Sequence, residues 1–271
     1  MAVTQKPVAL TRLDSSQVSI YPSSNGSLVA LFSARAPGKQ TVNEDALAII
    51  PVNEQSVVLA IADGVGGAPN GDTAAKIAMQ SLVHKIGKGN SGPLRSSILD
   101  GIELANETIR SEISGAATTL VAVEITNQIA RIYHVGDSGA CIVGGRGKIK
   151  SHTVFHSPTG YAVESGLISE HQAIQHEDRY LVSNLLGAED MSIEIGSPIP
   201  LAPRDTIVLA SDGLFDNLYF QEIGSAACRD TASQACENLV QLATDRMVSA
   251  QDDMPSKPDD LTVVLYRSGR K

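Results

Sequence analysis

Residues 57–73 read VVLAIADGVGGAPNGDT. Residues 57–62 are apolar at every position. A strand with one wet face alternates apolar and polar side chains, so this one is expected to be covered on both faces. Residues 63–73 have the look of a phosphate loop. Gly66 and Gly71 stand at Walker-type spacing, and Thr73 falls where a magnesium-binding hydroxyl would. The lysine that should precede that threonine is Asp72, however, and a second acid, Asp63, opens the loop. An acid in those places repels phosphate, which argues against a P-loop nucleotide site. Asp72 lies just ahead of an alanine-rich helical stretch and is expected to be an N-cap or first-turn acid.

Other short runs share the two-sided apolar character: residues 120–123, 207–210 and 261–265. Residues 129–135 and 140–143, joined by Gly136-Asp-Ser-Gly139, read as a hairpin. Helical periodicity runs through Leu94, Ile98, Ile102, Ala105, Ile109 and Ile113. A stripe of mainly small residues, Ala74, Ile77, Ala78 and Leu82, suits close packing on a sheet, and a third helix is expected over 231–247. Helices come in pairs between groups of strands rather than after each strand. That order predicts an α+β fold, a four-layer α/β/β/α sandwich of two antiparallel sheets flanked by helices. One domain over residues 1–271 is the simplest account, with an insertion at about 155–190.

The 271 residues carry 21 basic and 30 acidic side chains, a net charge of −9, and no basic patch suggests a nucleic-acid partner. Cys141, Cys228 and Cys236 are too few and too scattered for a disulfide framework or a zinc site, so free thiols are expected. The first residues, MAVTQKPVALTRLDSS, lack the apolar core of a signal peptide, and no apolar run approaches the ~20 residues of a membrane span. The expectation is a soluble, cytoplasmic monomer that contacts no membrane.

The aspartates are placed more regularly than the glycines. Asp63 and Asp212 each end an apolar strand and precede glycine. Asp137 follows the strand that ends in HVG, and Asp45 and Asp259 stand just before ALAII and LTVVLY. In antiparallel sheets the end of one strand lies beside the start of its neighbour. All five acids are therefore expected along one edge of the core. Singly, each is an ordinary turn residue; the shared placement is the signal. Clustered carboxylates repel and raise one another's pKa, a conflict that divalent cations remove. An oxygen-only set suits hard ions such as Mg²⁺ or Mn²⁺.

Taken in order, NEDA (43–46), ADGVGG (62–67), TTLVAV (118–123), HVGDSG (134–139), ASDGLFDN (210–217) and DDLTVV (259–264) resemble the metal-dependent serine/threonine protein phosphatases of type 2C, bacterial members above all. Residues 164–187 resemble that family's flap. The resemblance implies the same α/β/β/α fold and an enzyme that hydrolyses phosphoserine and phosphothreonine in protein substrates. Its cofactors would be two Mg²⁺ or Mn²⁺ ions, with a third in bacterial members, and its place phosphoprotein signalling. It assigns Asp63 as the ligand bridging two ions, the Gly64 carbonyl as a ligand to one, and Asp212 and Asp259 as further ligands. It places Asp137 at the third ion and Glu44 and Asp45 behind metal-held waters. Two ions about 4 Å apart would activate a water and clamp the phosphate oxygens, with no cysteine or serine nucleophile. The resemblance also exposes departures. The family's phosphate-contacting arginine is Gln40 here, preceded by Lys39, and these two are the candidates for contact with substrate phosphate. Val65 replaces the histidine of eukaryotic relatives, Gly139 an arginine, and Asp260 an asparagine. The neutral Gln40 admits an alternative, a weak or inactive type 2C-fold module that binds phosphoproteins in a signalling complex. The complete aspartate set speaks against it.

Overall fold

The computed structural model describes residues 6–22, 27–67, 70–87, 92–251 and 253–269; Ala68 and Pro69 of the opening stretch lie outside them. The chain begins with β1 (Val8–Thr11), β2 (Ser19–Pro22), β3 (Leu28–Ala34), β4 (Asp45–Asn53) and β5 (Ser56–Asp63). Helices α1 (Gly71–Gly87) and α2 (Leu94–Glu112) come next in the chain. They lead into β6 (Leu120–Thr126), β7 (Ile129–Val135), β8 (Gly139–Val143) and β9 (Ile149–His152). The insertion holds α3 (Pro158–Glu164), α4 (Glu170–Ile174) and a 3-10 turn, Glu177–Tyr180. After it run β10 (Glu194–Ile195), β11 (Ile199–Pro200) and β12 (Thr206–Ala210). Three helices, α5 (Asp212–Phe215), α6 (Phe220–Ala227) and α7 (Ala232–Val248), precede β13 (Leu261–Arg267).

Two antiparallel sheets result. One has the order β1-β4-β5-β6-β7-β10 with β11 also on β7, and the other β2-β3-β13-β12-β8-β9. The apolar runs explain the layering. On β4 and β5, Ala46, Ala48, Ile50, Val58, Ala60 and Ala62 face α1 and α2, packing with Ala74, Ala78, Leu82, Ile98 and Ile102. Alternate residues Leu47, Ile49, Leu59 and Ile61 face the other way and meet Leu209, Val264 and Tyr266 of the second sheet. A third core lies outside that sheet, where Val208, Ala210, Val263 and Leu265 meet Ala235, Leu239 and Ala243 of α7. Both faces of each central strand are covered, which is why polar residues do not alternate there. Alanines on the helix-facing side let α1 lie close to the sheet.

The expected hairpin over 129–143 is not formed. β7 pairs with β6, β10 and β11, whereas β8 pairs with β12 and β9 in the other sheet. Both edges of β7 are occupied, so the chain crosses between sheets. Gly136 makes the turn at φ +100°, and a Cβ there would come within 2.7 Å of Thr119 Cγ2. That crossing carries Asp137 to the end of the sandwich where the other acids gather.

Candidate metal centre

Antiparallel pairing sets Asp45, the first residue of β4, directly opposite Asp63, the last of β5. Asp212 follows the end of β12 and Asp259 precedes the start of β13, neighbouring strands of the second sheet. Ser211 Oγ reaches across from the second sheet to the first, donating to Asp45 Oδ2 at 2.9 Å. Asn43 orients Asp45 from the other side, its Oδ1 accepting from the Asp45 N–H at 2.9 Å. Thr118 Oγ1 donates to the Asp63 carbonyl at 2.7 Å, and the Asp63 N–H donates to Thr119 Oγ1 at 3.1 Å. Thr119 Oγ1 also meets Ser138 Oγ at 2.6 Å, tying Asp63 to the Asp137 loop. None of Ser211, Thr118, Thr119 and Ser138 is an acid, so the pattern of strand-end carboxylates does not reveal them.

Burial pushes the Asp63 carboxyl well above the usual carboxylate range, and the charges of Asp45, Asp212, Asp259 and Asp137 push it further. The five aspartates therefore occupy one site. Among the described residues, two buried side-chain oxygens lack any hydrogen-bond partner, Asp45 Oδ1 and Asp212 Oδ1. Such atoms are costly unless something fills their need. With oxygen donors alone, the set fits hard divalent cations. Gly64 lies where the chain must pass closest: a Cβ on it would overlap the Gly71 carbonyl.

Burial, foremost, lifts the Asp45 and Asp137 carboxyls to about 8. Unfolded aspartates titrate at about 3.9. Between those values these two groups hold more protons in the folded chain than in the unfolded one, so the stability they contribute is fully present below about 3.9 and is lost as pH rises toward 8. With chelator present, the melting temperature is expected to drop by about 5 °C between pH 5 and pH 8. Added Mn²⁺ should restore it at pH 8. A flat or rising melting temperature over that range would contradict this electrostatic account.

Lys257 is the site residue that sequence reasoning missed. Its Nζ donates to Asp212 Oδ2 at 2.5 Å and Asp216 Oδ2 at 2.8 Å, and lies 3.1 Å from Asp259 Oδ2. Burial alone would lower its pKa; the surrounding carboxylates outweigh that and raise it, so the ammonium stays charged. The fully buried Asn217 pins the backbone there, accepting from the Lys257 N–H at 2.9 Å and donating to the Lys257 carbonyl at 2.8 Å.

Lys39 and Gln40 lie on the neighbouring loop. Lys39 Nζ donates to Asp260 Oδ2 at 2.6 Å and Glu44 Oε2 at 2.9 Å. Gln40 is exposed and donates to the Gly38 carbonyl at 3.1 Å. Asp260 also accepts from the Ala36 and Glu44 N–H groups, both at 2.8 Å. A carboxylate serves all three donors there; an amide has one oxygen to offer. Beside Gly139, the space a side chain would fill is taken by Phe155 and Thr153, each within 2.6 Å of a Cβ placed there.

His134 is a packed strand residue: it stacks on His156 with centroids 4.4 Å apart, and its Nε2 meets the Val154 carbonyl at 2.9 Å. The Gly136 N–H and Asn184 Nδ2 both donate to His156 Nδ1, so the proton sits on Nε2, facing Glu194. Cys141 is buried in β8, and burial pushes its thiol up to about 12, which removes it as a nucleophile. Asp72 lies in the first turn of α1 and pairs with Arg12, outside the acid cluster. A cavity of about 650 Å³ opens between the insertion and the core. Asp137, Asp212 and Asp216 line one part of it, and Phe155, Phe215 and Phe220 another.

A sequence profile described as Protein phosphatase 2C matches residues 35–251. The chain is 25% identical over 224 residues to the serine/threonine protein phosphatase PstP of Mycobacterium tuberculosis, covering 79% of this chain but only 41% of that protein. Among solved structures it resembles the PPM Ser-Thr phosphatase MsPP of Mycobacterium smegmatis in complex with cacodylate. The TM-score is 0.72 at 26% identity, covering 89% of this chain and 98% of that one. The catalytic domain of PstP, solved with two manganese ions, shares the fold with a TM-score of 0.67 at 22% identity, covering 89% and 98%.

Proposed function

Because the chain belongs to the protein phosphatase 2C family, we propose that it is a metal-dependent phosphatase acting on phosphoserine and phosphothreonine in proteins. The observation that carries this reading is the convergence of five aspartates with two orphaned buried oxygens, Asp45 Oδ1 and Asp212 Oδ1. Asp63, the Gly64 carbonyl, Asp212 and Asp259 would hold two Mg²⁺ or Mn²⁺ ions, and Asp137 a third. Glu44 and Asp45 would hold ordered water beside them. When bound, the ions supply an activated water and neutralise phosphoryl charge.

The chain's own part is positioning. The Thr118 and Thr119 hydroxyls fix the Asp63 backbone, Asn43 fixes the Asp45 backbone N–H, and Ser211 fixes the Asp45 carboxylate. The cavity under the insertion admits the phosphorylated side chain to the acids. Val65 carries no proton to donate, so the leaving oxygen takes its proton from water or another group. No observation favours the non-catalytic alternative. The same reading places the protein in the cytoplasm as a monomer opposite a serine/threonine kinase. Among the described residues, no helix is long and apolar enough to cross a membrane.

Hydrolysis of p-nitrophenyl phosphate and of a phosphothreonine peptide, with Mn²⁺, with Mg²⁺ and with chelator, tests the proposal. Turnover should require a metal; no turnover of either substrate with either ion would sink it. Substrate phosphate would meet Lys39, which already serves Glu44 and Asp260, and the neutral Gln40, which already donates once to Gly38. Gln40→Arg is therefore expected to lower KM for the peptide about tenfold, through a charge-assisted contact. An unchanged KM and kcat/KM would remove position 40 from the phosphate site.

A further inference from the structure

We propose that Lys257 is a tethered ammonium that competes with a divalent cation for the Asp212 and Asp259 carboxylates, and so sets how much metal the site requires. This rests on the metal-dependent reading above. An ammonium has three donor hydrogens, and here three carboxylate oxygens surround it: Asp212 Oδ2 at 2.5 Å, Asp216 Oδ2 at 2.8 Å and Asp259 Oδ2 at 3.1 Å.

The placement is built in. Asn217 grips the backbone of Lys257 on both its N–H and its carbonyl, and also donates to the Gly213 carbonyl at 2.9 Å, one residue beyond Asp212. Arg246 Nη1 donates to the Asn217 carbonyl at 3.0 Å, which holds the clamp itself. The Lys257 side chain is 18% exposed, so water screens it little.

A hard divalent cation seeks oxygens of the same carboxylates at about 2.0–2.2 Å; Asp212 Oδ1 is unpartnered, while Oδ2 carries the ammonium. The cation cannot approach Asp212 and Asp259 closely without repelling an ammonium paired with both, so each positive charge weakens the hold of the other. In this same position Nζ lies over the Tyr180 ring of the insertion, 5.5 Å from its centroid. Lys257 belongs to no strand and stands two residues before Asp259 in a stretch without periodicity, which is why strand-end placement did not find it.

Calorimetric titration of the full chain with Mn²⁺ tests this, comparing wild type with Lys257→Met. Removing the charge is expected to tighten at least one Mn²⁺ site about tenfold. The chelated variant should melt lower than the wild type, because the carboxylates lose their counter-charge. Lys257→Gln, which keeps polarity but not charge, should tighten Mn²⁺ in the same direction and guards against a misfolded methionine variant. Unchanged or weaker Mn²⁺ affinity in both variants overturns the inference, whatever their activity. A wild type that binds Mn²⁺ but hydrolyses no phosphoester overturns the phosphatase reading and leaves the competition standing. If neither wild type nor variant binds Mn²⁺, both fall.

Discussion

Replacing Asp63 by asparagine is expected to lower kcat for p-nitrophenyl phosphate in Mn²⁺ by about a thousandfold. Asp63 is the carboxylate on which the charges of Asp45, Asp212, Asp259 and Asp137 converge, so its loss removes the anion most central to any cation held there. The same substitution should have the opposite effect on the folded chain without metal. It removes a buried carboxyl that folding must either protonate or hold charged among like charges, and the chelated variant should melt higher at pH 8, by about 2–4 °C for each kcal/mol of relieved cost. Loss of turnover with gain of metal-free stability marks a residue whose charge serves function at a cost to folding. If Asp63 were a structural turn residue, both quantities would fall together, and steady-state kinetics with thermal melts on one preparation separate the cases.

The second large effect is expected at Gly64. A Cβ there would overlap the carbonyl group of Gly71 and approach the backbone nitrogen of Asp72. These are backbone atoms, so no flexible side chain can move aside; the end of β5 and the start of α1 must separate. Gly64→Ala is expected to cost about 3 kcal/mol of stability, seen as a melting temperature lower by about 6–12 °C. Displacing the Asp63–Gly64 turn by a fraction of an ångström should also reduce kcat about a hundredfold. Circular dichroism melts and phosphopeptide kinetics check the two parts. A variant with wild-type stability and turnover would show that the close approach of the two loops is not required.

The acids were legible because their signal is local. Each of Asp45, Asp63, Asp137, Asp212 and Asp259 adjoins an apolar strand, and antiparallel pairing then brings strand ends together. The layering was legible for a related reason: residues 57–62 are apolar at both parities, and the structure puts Val58, Ala60 and Ala62 in one core and Val57, Leu59 and Ile61 in another. The crossing at Gly136 was not legible. Its Gly-Asp-Ser-Gly sequence suits a hairpin turn, and the pairings that forbid a hairpin, β7 with β10 and β8 with β12, come from residues far along the chain. Lys257, Ser211 and Thr118 were hidden in the same way. They act through contacts that reach across 45, 166 and 55 positions of sequence, with no repeat to reveal them. Asp260 occupies the position of an expected asparagine, and only the Lys39, Ala36 and Glu44 donors around it explain a carboxylate there.

The central claim is that acids at the strand ends form a cation site, and the number of Mn²⁺ ions bound per chain tests it most directly. Chelator-treated protein titrated with Mn²⁺ in a calorimeter should take up at least two ions, and the Asp63→Asn variant fewer. A folded wild-type chain that takes up no Mn²⁺, or an Asp63→Asn variant that binds as many ions with the same affinity, would contradict it.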